Sequence, residues 1–154
     1  LGSKNPVNAP YHNFTSAVSM GLVMIVDQDE FDFPKLLSDI AATIISGNTT
    51  VVLLGPKVAP ALAMLGEVFA TSDLPGGVVN LLSGYRKELI KHIGDHREIH
   101  AIRYSDLSHE DETSIRESGA DNMKRMVIQK SELNSLSHIS QTVEFKTVWH
   151  PIGV

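Results

Sequence analysis

The 154 residues contain no cysteine. That absence removes disulfides, thiolate metal sites and thiol nucleophiles together. It does not fix a redox compartment, because a chain without thiols suits either side of a membrane. No apolar run approaches the roughly 20 residues needed to span a bilayer, and no cationic leader precedes an apolar core. The formal net charge of −5 comes without the clustered Lys and Arg that a nucleic-acid or anionic-membrane partner requires. No GxGxxG follows an expected strand, and no GxxxxGK[ST] phosphate loop is present. What remains is 42% hydrophobic and 20% charged, the composition of an ordinary soluble domain with a cytosolic home. A chain of this length buries roughly 70% of its unfolded surface. It starts at Leu1 instead of Met and is expected to be a piece of something longer, with Leu1-Gly2-Ser3 reading as a cloning scar.

Residues 1–15 carry two prolines and three asparagines without a period, which predicts an extended arm or linker. Residues 16–130 then alternate two kinds of pattern. Apolar runs at 22–26 and 49–54, the latter rich in β-branched residues, predict strands covered on both faces. Between them Leu36, Leu37, Ile40, Ala41, Ile44 and Ile45 recur at helical spacing, Pro34 suits the first turn, and Gly47 ends the helix. Further strands are expected over 78–82, 99–104 and 124–129. Helices are expected around 60–69, after Gly84, and over 108–118. Strands alternating with helices imply right-handed crossovers, so the fold class is α/β: a doubly wound, Rossmann-like, mostly parallel sheet with helices on both faces. Residues 131–141 show no period and read as a connector. Residues 142–149 alternate, which predicts a terminal edge strand or arm.

Few residues offer chemistry. Gly84 lies between a strand and a helix N-terminus, where free N–H groups favour an anion, and Arg86 and Lys87 follow it. The simpler reading is a tight turn and a solvated helix start. His92, His96 and His100 are spaced by four, but Gly94-Asp95 interrupts any common helix, so no metal site is expected. His12, His109, His138 and His150 fall in arms and connectors, where exposure is the expectation. Asp27, Asp29, Glu30 and Asp32 group at the end of the first strand of the 16–130 region. They suit a divalent cation, acid–base work or, more simply, a solvated loop. The acidic run 109–113 reads as surface.

Three stretches carry a resemblance. They are Gly47 to Val52 (GNTTVV) with Pro60 to Gly84 (PALAMLGEVFATSDLPGGVVNLLSG); His96 to Asp106 (HREIHAIRYSD); and Asp121 to Gln129 (DNMKRMVIQ). From Gly21 to Gln129 the chain resembles the cofactor-binding domain of the aldehyde dehydrogenase superfamily. Its members show GNTVV, LPPGVVN, H-x-x-V-x-x-I-x-F-T-G-S and NLKRV-LE in this order. Glu144 to Gly153 (EFKTVWHPIG) is similar to the family's C-terminal strand, used there for subunit assembly. The resemblance implies NAD or NADP as the family cofactor, with Gly55, Lys57, Gly84, Arg86 and Lys87 as the contacts that remain for it.

The departures from the family pattern weigh against chemistry. The family's oxyanion-stabilising asparagine corresponds to Asp32, whose carboxylate would repel a developing negative charge. Its general-base glutamate corresponds to Gln129, which takes no proton. The ribose-binding lysine and glutamate correspond to Leu53 or Leu54 and to Pro56, and the Gly-Ser of F-T-G-S to Asp106-Leu107. After Gln129 the family continues into a long segment bearing the cysteine nucleophile; here residues 131–154 supply a connector and one strand. This combination is most similar to the shortened C-terminal domain of the family 16 aldehyde dehydrogenases. It implies a non-catalytic domain without a cofactor of its own. Its implied partners are a preceding dehydrogenase domain of the same chain and a further copy met through residues 142–149.

Overall fold

A computed structural model describes residues 2–26, 32–129 and 135–153. Strands β1 (Gly2–Asn5), β2 (Tyr11–Ser19) and β3 (Leu22–Val26) come first. Helix α1 (Phe33–Ile44), β4 (Thr49–Leu54), α2 (Ala59–Thr71) and β5 (Val79–Ser83) follow. Next are α3 (Arg86–Asp95), β6 (Ile99–Tyr104), α4 (His109–Ala120) and β7 (Arg125–Ile128), and the chain closes with α5 (Leu136–Ser140) and β8 (Val143–Pro151).

Five strands form one parallel sheet in the order β5-β4-β3-β6-β7. The chain winds outward from β3 in one direction and then, from β6, in the other, which is the doubly wound arrangement the alternating pattern predicts. Leu36, Ile40 and Leu65 of α1 and α2 pack against Ile25, Val52 and Leu54 on one face. Ile90, Ile93 and Ile115 of α3 and α4 pack against Met24, Val26 and Ile102 on the other. Both faces are covered, so the central strands carry unbroken apolar runs instead of alternation. Each fully buried Leu or Ile contributes roughly 1.5–3 kcal/mol, which makes this double core the main source of stability.

Polar residues set the ends of the helices. The Asp32 side chain accepts a hydrogen bond from the Lys35 amide at 3.1 Å and caps α1, with proline in the first turn. Ser108 caps α4 in the same way, and Glu110, Asp111 and Glu112 in its first turn favour the positive end of the helix dipole. Gly47 adopts a φ of 81° just beyond α1.

The terminal regions differ from the sequence expectation. Residues 2–5 and 11–15, read as an arm, are extended but paired. β1 pairs antiparallel with β2, and β2 pairs antiparallel with β8, from Ser19 opposite Val143 to Tyr11 opposite Pro151. The boundary expected at residues 15 and 16 lies inside β2. Residues 136–140, read as connector, form α5. His138 within it is 4% exposed instead of solvated, because its ring is drawn into a charged cluster. In that cluster Arg103 Nη1 bonds Asp39 Oδ1 at 3.1 Å, and Lys35 Nζ reaches Asp39 Oδ2 at 3.0 Å. Asp111, in the run read as surface, is also buried, at 3.4 Å from Arg86 Nε. Among the described residues no helix is long and apolar enough to cross a membrane.

The two sheets meet at Asn48. Its Oδ1 accepts from the amides of Met20 at 2.7 Å and Gly21 at 3.0 Å; its Nδ2 donates to the carbonyls of Thr43 at 3.2 Å and Thr142 at 2.7 Å. Asn48→Ala strands these backbone groups in the interior and should cost about 2–4 kcal/mol. Chemical denaturation reads this as a lower midpoint at unchanged slope; a loss below about 0.5 kcal/mol would remove Asn48 as the junction.

Candidate functional site

In an open parallel sheet, ligands enter the crevice at the carboxyl ends of the strands, where the winding reverses, here between β3 and β6. Asp32, Gly55, Gly84 and Gln129 all follow strands at that edge. Asp27, Asp29 and Glu30 lie outside the described residues.

Gly84 separates β5 from α3, as expected. A Cβ placed on it would lie 2.7 Å from Leu89 Cδ1, so the room above this glycine is taken by a side chain of α3. Gly84 serves packing, and its own amide donates to the Leu54 carbonyl at 3.1 Å. Tyr85, at the N-terminus of α3, makes no side-chain cap. Arg86 is half-buried and turned to Asp111 of α4, whereas Lys87 is exposed. Gly55 precedes a single 3₁₀ turn, Pro56–Val58, and Lys57 is exposed within it. The expected cofactor positions therefore lie along one edge of the sheet.

The positions matching the family's ribose contacts are Leu53, 2% exposed, and Leu54, fully buried, followed by Pro56, which lacks an N–H. Leu53 and Leu54 point into the two cores. The residues present do not fit a dinucleotide held as by ribose-binding side chains. Asp32, expected to match the family's oxyanion position, is engaged as the cap of α1. Gln129, expected to match the family's general base, is 9% exposed; its backbone amide donates to the Tyr104 carbonyl at 2.8 Å, and its side-chain amide bonds none of the described residues.

Other polar groups here carry structure, and the sequence reading missed them. The Tyr104 hydroxyl donates to Glu112 Oε1 at 3.1 Å, and Arg116 holds the same carboxylate at 2.7 Å. Burial first, and then the bond to Glu112, pushes the Tyr104 phenol above its ordinary value. Lys124 Nζ donates to the Ile99 carbonyl at 2.9 Å and to that of His96, while burial lowers its proton affinity. Their only sequence signal was an ionisable residue beside an apolar run. The three spaced histidines part company: His92 is on α3, His96 caps its end, and His100 is on β6, where its Nδ1 accepts from the Leu22 amide at 3.3 Å. Among the described residues no group of three or more His, Asp or Glu is placed to hold a metal.

The aldehyde dehydrogenase family model matches residues 2–136. The chain belongs to the aldehyde dehydrogenase family. It is 25% identical over 92 residues to the alpha-ketoglutaric semialdehyde dehydrogenase of Bacillus subtilis (strain 168), covering 60% of this chain and 19% of that protein. Among solved structures, the fold is similar to the NADP dependent enzyme of E. coli, with a TM-score of 0.76 at 15% identity over 84% of this chain and 27% of that one. It is also similar to the NAD+ complex of an aldehyde dehydrogenase from Bacillus cereus, with a TM-score of 0.74 at 22% identity over 83% of this chain and 26% of that one. The chain thus spans about a fifth to a quarter of the length of these relatives.

If Asp32 serves as a cap, Asp32→Ala should lower stability by about 1 kcal/mol and Asp32→Asn by less than about 0.5 kcal/mol, since both Asp and Asn accept from an N3 amide. Equal losses in the two variants by thermal denaturation would remove the capping role.

Proposed function

We propose that this segment is a non-catalytic, assembly-type domain of a larger NAD(P)-dependent aldehyde dehydrogenase, of the family 16 kind. The observation that carries the reading is the state of two positions at the strand ends. Where a working member would present an oxyanion donor and a base, Asp32 is bound into a helix cap and Gln129 is a buried amide. A carboxylate facing a developing oxyanion raises the barrier, and an amide cannot remove a proton. With no thiol in the 154 residues, the segment has no sulfur nucleophile for a carbonyl.

What the segment offers instead is β8. Among the described residues it is the edge strand of the three-stranded sheet, paired with β2. Phe145, Val148 and Trp149 are exposed along it, at 55%, 42% and 63%. A free edge with large apolar side chains is the usual substrate for strand addition by a partner. The partners in this reading are a preceding dehydrogenase domain and a second copy of the protein, in the cytosol.

A second reading, a residual NAD or NADP module, draws on Lys57 and Lys87, both exposed at the crevice edge where dinucleotides bind in this fold. Calorimetric titration separates the two. The leading reading expects no heat with NAD or NADP up to millimolar concentration, and a micromolar dissociation constant would replace it with the second.

For assembly, the double variant Phe145→Asp, Trp149→Asp alters exposed side chains only and should leave the fold intact. Sedimentation of the purified protein should then show a smaller particle than the unaltered protein. An unchanged mass, with an unchanged circular dichroism spectrum, would take assembly away from β8.

A further inference from the structure

His138 sits where α5 meets α1 and β6, five residues before β8 begins. Arg103 Nη1 of β6 lies 3.2 Å from its Nδ1 and 3.0 Å from its Nε2, and Arg103 Nη2 donates to the His138 carbonyl at 2.9 Å. From α1, Asp39 Oδ1 stands 3.3 Å from Nε2. Nη1 is nearly equidistant from the two ring nitrogens and so lies over the face of the imidazole, while Asp39 Oδ1 is placed to accept from Nε2–H. Arg103 has only donors and keeps its charge at any ordinary pH. A second ring proton sets an imidazolium against the Arg103 guanidinium, inside a site where Arg103 and Asp39 are each 1% exposed.

We propose that His138 is a proton-operated latch: protonation of its ring unseats α5 from the parallel sheet and loosens its link to β8. The proposal rests on the reading of β8 as the assembly strand, and adds its regulation. The charged groups facing the ring are Asp39 and Lys35 from α1 and Arg103 from β6. α5 itself (LSHIS) contributes no other charge. On the β8 side, Arg125 of β7 grips the Val143 carbonyl at 2.7 Å, so the loosened segment is α5 and its link to β8, not the whole sheet. Burial, and after it Arg103, hold the ring's proton affinity below the ordinary value; Asp39 and the Ser38 backbone oppose them. A lowered folded-state value means that the unfolded chain binds the proton more readily. The latch is therefore fully closed above the ordinary histidine value of about 6.5 and opens as pH falls through the lower value of the folded state.

The test uses the whole chain. Amide hydrogen exchange over residues 136–142, corrected for intrinsic rates, is compared at pH 7.5 and at successively lower pH down to 5. Protection should fall by up to about tenfold per pH unit as the pH drops from the ordinary value of about 6.5 towards the folded-state value of the ring, and level off below it. In His138→Gln, which cannot take the proton, protection should be independent of pH. A constant protection in the unaltered protein, or an equal fall in the variant, overturns the latch. NMR titration of the ring needs no variant: a midpoint at or above the ordinary value also overturns it. Sedimentation under the same conditions keeps this separate from the assembly role. Loosening of α5 in a protein that is monomeric throughout supports the latch while removing the role of β8, and stable assembly with a rigid α5 does the reverse.

Discussion

One carboxamide fixes how the two sheets sit together. Asn48 stands just before β4 and meets the chain where β2 turns into β3, where α1 ends, and where β8 begins. At 2% exposure it has no water to fall back on, so each of its four bonds is held against the cost of a bare peptide group. The turn it secures also demands Gly21. That residue has a φ of 117°, and a Cβ there would lie 2.9 Å from His100 Nδ1. Asn48 and Gly21 together let β2 leave the parallel sheet and pair with β8.

The parallel sheet was legible because its energetics are local. An apolar run of five or six residues followed by a helical stripe declares a strand buried on both faces, and Gly47 marks the break. The three-stranded sheet was not legible. β1 and β2 read GSKN and YHNFTSAVS, polar enough to pass as a tail, and their order comes from β8, more than 120 residues away. Polar contacts such as Asn5 to Thr15 and Thr15 to Thr147 hold that sheet, and no periodicity announces them. At five residues, α5 is too short to show a period at all.

The site was half legible. Substitutions at Asp32, Gln129 and Leu54 could be read as losses, but the sequence could not say what the replacements do. Asp32 found a role in the helix beside it, and Leu54 in the core. Arg103, Asp39 and His138 were invisible for a different reason. Each looks like surface by type, and only the meeting of β6, α1 and α5 makes a buried set of them. Charges enter a core when they can satisfy one another, and that is a property of the fold rather than of any single segment.

The geometry also separates the junction of the two sheets from the carboxyl edge of the strands. Asn48, Gly21 and Thr142 lie at the amino ends of the strands that follow them, β4, β3 and β8; Asp32, Gly84 and Gln129 follow the carboxyl ends of β3, β5 and β7. The junction that carries β8 and the edge where ligands enter in this fold are therefore on opposite sides of the parallel sheet. Replacing a base by an amide, or an oxyanion donor by a helix cap, removes no bond that Asn48 makes. The two burdens are coupled at one place, through Arg103 and α5. That is where a proton, rather than a substrate, has a path to β8.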